Sequence, residues 1–310
     1  AAVLIPVVIG VAAKSGFTRS RLLMPLVFAA ALGGNLSLIG APGNLIAQSA
    51  LQNIGSGFGF FEYAKVGLPM LVCGILYFLT IGYKFLPNNS NSSEVGSIGE
   101  QRDYSHVPRW KQILSLVVLI ATILGMIFEK QTGVSLAVAG CIGALVLVVT
   151  GVLTEKQAYK AIDSQTIFIF GGTLALAKAL EMTGAGKLVA DQVIGLLGNN
   201  SSPFMLLVVV FALSVVMTNF MSNTATVALL VPVSLSIAAG MGADPRAVLM
   251  ATVIGSSCAY ATPIGMPANM MVLSAGGYKF VDYAKSGIPL IIVSTIVSLI
   301  LLPILFPFHP

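Results

Sequence analysis

The chain has 310 residues, 56% of them hydrophobic and only 9% charged, with a formal net charge of +5 and a mean hydropathy of +0.95. Soluble domains carry about 25% charged residues. This composition cannot dress a water-facing surface, so an ordinary soluble enzyme or domain is excluded. In a lipid-solvated chain the positive excess bears on orientation rather than on nucleic acid.

Runs near the roughly 20 apolar residues needed to cross a bilayer recur along the sequence. In chain order, residues 1–13 read as the returning arm of a re-entrant hairpin, and 22–35 and 44–54 as the two halves of a broken helix. Residues 66–86, 112–128 and 134–153 read as spans. Residues 166–180 form another, trailed by an amphipathic stretch at 184–197. The arms of a second hairpin follow at 203–220 and 225–239, a second broken helix at 246–259 and 269–275, and a last span at 285–306. The apolar runs are continuous and do not alternate, which speaks against a barrel. The expected fold is an all-α membrane protein of inverted repeats, with re-entrant hairpins and broken transmembrane helices. No cleavable signal peptide is recognisable. The chain opens inside an apolar segment, so part of the first repeat is expected upstream.

An internal repeat organises the sequence. Residues 1–6 (AAVLIP) match 227–232 (VALLVP), and Gly40-Ala41-Pro42-Gly43-Asn44 matches Gly265-Met266-Pro267-Ala268-Asn269. Phe61-Glu62-Tyr63-Ala64-Lys65-Val66-Gly67 matches Val281-Asp282-Tyr283-Ala284-Lys285-Ser286-Gly287. The expected division is therefore residues 1–86 for the later part of the first repeat, 87–109 for a polar flexible loop and 110–310 for the second repeat. With the loop of Lys14, Arg19 and Arg21 on the inside, most other basic residues also fall inside, while Lys65, Lys130 and Arg246 fall outside. Glu62 and its counterpart Asp282 then lie on opposite sides, which makes the repeats inverted. The three cysteines, Cys73, Cys141 and Cys258, sit in apolar segments and read as small buried residues.

Two polar patches interrupt the second repeat: Met221-Ser222-Asn223-Thr224-Ala225-Thr226, and Pro263-Ile264-Gly265-Met266-Pro267-Ala268-Asn269. Backbone freed from helix at membrane depth is tolerated only where it packs in protein or lines a cavity. Its carbonyls suit a hard cation such as sodium, and half-helix N-termini suit an anion. Small polar residues also serve close helix packing, but a large amide such as Asn223 gains little from that. Asn219, one turn earlier, is either a supporting partner or a hairpin brace. The patches hold no Asp, Glu or His; His106 and His309 lie outside the apolar segments. Proton-coupled machines usually carry such groups in the membrane. Lys178 and Glu181, near a span end, read as snorkelling residues, with substrate contact as the other reading. There is no phosphate-binding loop and no protease motif.

The Ser-Asn-Thr tip, the Gly-x-Pro-x-Asn break and their duplication resemble the divalent-anion:sodium symporter family, within the superfamily of citrate, sulfate and arsenite carriers. Residues 163–181, followed by Thr183-Gly184, are similar to the segment before the second hairpin of that superfamily. The resemblance implies a homodimer, an elevator movement against a fixed scaffold, and two sodium sites. It places one sodium at Thr218, the Met221 carbonyl, Asn223 and the Gly265 carbonyl, and the other at Gly40 with upstream residues. It implies anion contacts from Ser222, Asn223 and Thr224, with Pro267 and Pro42 nearby. Family members that carry carboxylates have Thr-Pro in both loops; here Ala41-Pro42 and Met266-Pro267 stand instead.

The expectation is a sodium-coupled secondary carrier of a small anion, a di- or tricarboxylate, in a bacterial plasma membrane. It is not an enzyme, binds no nucleic acid, and uses sodium as its coupling ion with no other cofactor. The alternatives are a permease for sulfate or another inorganic anion, a sodium/proton antiporter, a passive channel, or a non-transporting membrane scaffold.

Overall fold

A computed structural model describes residues 4–88, 107–162 and 202–308, with scattered positions between 164 and 192. Much of 163–201, with Lys178 and Glu181, lies outside the described residues, as do most of the polar loop, His106 and His309. The described residues are helical, with no strand among them. By packing, the chain forms one unit of Ala1–Ile98 with Phe168–Pro310, and a second of Gly99–Ile167.

The second unit contains α5 (Arg109–Ile127), α6 (Glu129–Thr132), α7 (Leu136–Val149) and α8 (Glu155–Ala161). Helices α5 and α7 approach closely because small residues face each other. A Cβ at Gly125 would lie 3.6 Å from the Ala139 methyl, and one at Gly143 would meet the Thr122 hydroxyl. Ile113, Leu116, Ile120 and Leu124 are exposed along α5. Between the spans expected at 134–153 and 166–180 lies α8. Its Thr154 and Gln157 form a reciprocal capping box that starts a helix within a short charged stretch.

The first unit comprises α1 (Ile5–Ser15), α2 (Arg19–Gly33), α3 (Pro42–Gln52), α4 (Ala64–Thr80), α9 (Pro203–Thr218), α10 (Asn223–Met241), α11 (Pro245–Ser256), α12 (Pro267–Ala275) and α13 (Phe280–Leu305). Helix ends follow local chemistry. Gly16 and Gly242 take left-handed φ of 73° and 63° where α1 and α10 stop. Asp244 accepts the Arg246 N–H at 2.8 Å at the start of α11. Helix α13 begins at Phe280, earlier than its apolar run, because Asp282 accepts the Lys279 N–H at 2.8 Å. Among the described residues α5, α10 and α13 are long and apolar enough to cross a membrane. Pro69, Pro232, Pro289 and Pro303 sit inside helices, where membrane helices accommodate them.

Matching positions of the two sequence copies make matching contacts. Phe58 packs edge-on against Tyr63 at 5.1 Å, and Tyr278 against Tyr283 at 5.6 Å. A side chain at Gly67 would overlap the Asn35 carbonyl, and one at Gly287 the Tyr260 carbonyl. In both places the backbone of a long helix rests on the backbone of a helix break. Glu62 joins the copies through an ion pair with Arg246 and also pairs, at 3.6 Å, with Lys65 of its own copy.

The cysteine reading needs correction. Only Cys258 is buried; Cys73 is half-buried and Cys141 exposed. An apolar segment fixes hydropathy, but not which face of the helix is covered.

Gly287→Ala should lower the melting temperature of the purified protein by roughly 5 °C, since overpacking costs about 1–3 kcal/mol. Gly10→Ala, where nothing lies within 4 Å of the new methyl and the helix gains alanine's propensity, should leave it unchanged or raise it slightly. Equal melting of the two variants would show that α13 can shift away from the break.

Candidate ion and anion site

The two helix breaks are built from the same parts. In the first, Asn44 donates from Nδ2 to the carbonyls of Gly34 (3.2 Å) and Ser37 (2.9 Å). In the second, Asn269 donates to those of Ala259 (2.9 Å) and Thr262 (3.0 Å). Tyr63 and Tyr283 donate to the carbonyls of Asn44 (3.3 Å) and Asn269 (2.6 Å), tying each break to the helix behind it. The Gly-x-Pro-x-Asn pattern thus has a physical reading. The glycines have no room for a side chain: a Cβ at Gly40 would overlap the Gly34 carbonyl, and one at Gly265 would overlap the Thr218 carbonyl and lie 2.9 Å from the Ala259 methyl. Proline occupies the first turn of α3 and α12, where its missing N–H costs nothing. Asparagine satisfies two loop carbonyls, half-buried in the first break and buried in the second.

At the hairpin tip, α9 ends at Thr218 and α10 begins at Asn223. Thr218 is fully buried, and its hydroxyl donates to the Ser256 carbonyl at 2.5 Å. With its amide nitrogen turned inward, Asn223 donates to the carbonyls of Gly265 (2.9 Å) and Ser256 (3.2 Å) and to the Thr218 hydroxyl (2.8 Å). With its oxygen inward, four oxygens converge: Asn223 Oδ1, Thr218 Oγ1 and the carbonyls of Gly265 and Ser256. The single hydroxyl proton of Thr218 cannot satisfy that set. It needs either the amide N–H or a cation, and compact neutral oxygens suit a hard one. Among the described residues no group of three His, Cys, Asp or Glu could hold a metal ion.

The structure therefore brings Thr218, Asn223 and Gly265 together. Met221 lies half-buried in the turn between the arms. Ser222 caps α10, its hydroxyl accepting from the Ala225 N–H at 3.2 Å, and Thr224 is half-buried on the first turn. Pro42 and Pro267 are exposed at the starts of α3 and α12. Gly40 stays in the other break, and no described contact joins it to the Asn223 cluster. A side chain at Gly43 would meet Val227 at 2.9 Å, so the start of α3 rests on the first turns of α10. Three helix N-termini, those of α3, α10 and α12, thus gather around the tip. Neither Ala41 nor Met266 caps its helix. Sequence reasoning missed the Ser256 carbonyl and Thr262, because residue type does not reveal where a carbonyl points.

The geometry can be set beside known proteins. The citrate transporter family model matches residues 1–255 and 123–309. The chain belongs to the citrate transporter family. Several of its curated relatives are named as transporters. An uncharacterized transporter of Methanocaldococcus jannaschii is 30% identical over 302 residues, covering 95% of this chain and 66% of that protein. An uncharacterized transporter of Escherichia coli is 35% identical over 171 residues, 55% and 28% of the two chains. A sodium-dependent dicarboxylate transporter of Staphylococcus aureus is 24% identical over 315 residues, 93% and 59% of the two chains. The chain thus spans from about a quarter to two thirds of these relatives' lengths.

Asn269→Ala would strand two buried carbonyls. It should destabilise the protein by roughly 2–4 kcal/mol, read as earlier thermal unfolding in detergent. Asn53→Ala, at an exposed helix end, should change little. Wild-type-like unfolding of Asn269→Ala would show that the break does not depend on the amide.

Proposed function

We propose that this protein is a sodium-coupled secondary active transporter of a small anion, with a di- or tricarboxylate as its substrate class. The observation that carries the reading is the convergence of Asn223, Thr218 and the Gly265 and Ser256 carbonyls at the meeting point of a hairpin tip and a helix break. Sodium is held there by neutral oxygens, with the Met221 carbonyl completing the set. Gly40 belongs to a second sodium site in the other break. The similarity to a sodium-dependent dicarboxylate transporter supports both the ion and the substrate class.

Coupling follows from the two ends of one amide. Without the ion, Asn223 turns its nitrogen inward and satisfies the carbonyls itself. With the ion, its oxygen turns inward as a ligand, and its nitrogen faces outward as a donor for the anion. Ser222, Thr224 and the starts of α3 and α12 at Pro42 and Pro267 complete the anion site, where helix N-termini favour negative charge. The repeats are inverted, the protein works as a homodimer in a bacterial plasma membrane, and the site crosses by an elevator movement. A second reading, an inorganic oxyanion such as sulfate, is favoured by Ala41 and Met266. Those residues supply no hydroxyl, so recognition there rests on backbone N–H groups.

Asn223→Ala should reduce sodium-dependent anion uptake in proteoliposomes to background while the protein still inserts in normal amount. Undiminished uptake would reject the site. Uptake of sulfate but not succinate by the wild type would select the second reading, and acidification driven by a sodium gradient without any anion would select an antiporter.

A further inference from the structure

Behind the oxygen cluster lies a second set of buried polar groups, none of which belongs to that cluster. Asn219 and Thr262 are 7% and 5% exposed. Asn219 donates from Nδ2 to the Val215 carbonyl (2.7 Å) within α9 and to the Cys258 carbonyl (3.2 Å) across the break. Its Oδ1 accepts the Ala261 N–H at 2.9 Å. The Thr262 hydroxyl donates to the Asn219 carbonyl at 2.5 Å and accepts the Gly265 N–H at 3.3 Å. One asparagine and one threonine therefore supply three bonds that sew residues 258–262 of the break to the end of α9, and the Thr262 hydroxyl extends that line to Gly265 within the break.

The positions of those bonds matter. Asn219 directly follows Thr218. Gly265 carries both the N–H that Thr262 holds and the carbonyl that faces Asn223. Thr262 also gives its own carbonyl to Asn269, which Tyr283 holds from α13. A continuous line of hydrogen bonds thus runs from α13 through Asn269, Thr262 and Asn219 to the hairpin. Oxygens from two separate segments can ligate one ion only if those segments keep their register to a few tenths of an ångström. Helix packing alone does not set that register, because the break has no internal helical bonds to hold it.

We infer that Asn219 and Thr262 are positioning residues, holding the hairpin tip and the broken loop in the one register at which Thr218, Asn223 and Gly265 can share a sodium ion. The inference rests on the proposed sodium site and names the residues that give it its affinity.

The test is a sodium titration of the full-length protein, read both as thermal stabilisation and as uptake at saturating anion, for wild type, Thr262→Val and Thr262→Ser. Thr262→Val keeps the shape and removes the hydroxyl. It should weaken apparent sodium affinity by about tenfold, the scale set by one or two buried hydrogen bonds. Half-saturation by anion at saturating sodium should stay within about threefold of wild type, and Thr262→Ser should restore sodium affinity. If Thr262→Val does not fold, Thr262→Ala against Thr262→Ser reads the same difference. A Thr262→Val or Thr262→Ala protein with wild-type sodium affinity overturns the inference. So does a serine variant as impaired as the valine one, since that would mean packing rather than the hydroxyl is what counts. A wild type that does not respond to sodium at all overturns the sodium reading itself, and this inference with it.

Discussion

Everything in the packed unit of Ala1–Ile98 and Phe168–Pro310 depends on satisfying backbone that has left its helix. Each break exposes carbonyls and N–H groups in an apolar interior, where an unpaired polar group costs several kcal/mol. Asn44 and Asn269 meet this cost with two bonds apiece, and a tyrosine from the following helix fixes each of them. Without those two amides the breaks would have no reason to persist as open, non-helical chain. The carbonyls left over could not then be aimed at anything.

The same constraint explains why glycine recurs where it does. Gly67 and Gly287 let the backbones of α4 and α13 rest on the breaks, and Gly40 and Gly265 let the breaks fold onto themselves and onto the hairpin. The outer faces of these long helices carry the opposite chemistry. Ile288, Ile292, Ile296, Ile300 and Ile304 stand exposed at every fourth position of α13, as suits a helix whose solvent on that side is hydrocarbon.

Under the proposed function, a cation site of neutral oxygens has a consequence for coupling. A carboxylate in its place would neutralise the ion and leave nothing for an anion to answer; it would also carry the cost of an intramembrane charge when empty. An asparagine does neither. Its amide has a donor end and an acceptor end, so it can close the empty site on itself or turn its oxygen to the ion. Under the proposed function that two-ended side chain links the occupancy of the two ligands, and Asn219 and Thr262 keep the distance over which the link acts.

The sequence by itself determined the apolar, helical class of the chain and the places where its helices stop at the two breaks. Hydropathy and helix-breaking residues act locally, so their spacing shows in the chain; the Gly-x-Pro-x-Asn pattern marked the breaks before any coordinates. It also paired Asn44 with Asn269 and Tyr63 with Tyr283 as repeat partners. Only the tertiary structure decided which carbonyls face Asn223, that Ser256 supplies one of them, and that Thr262 holds Gly265 to the hairpin. It also decided that Cys141 is exposed and Cys258 buried. Those facts depend on how helices far apart in the chain rotate and settle against each other. A carbonyl's direction is a property of backbone conformation, and residue identity does not encode it.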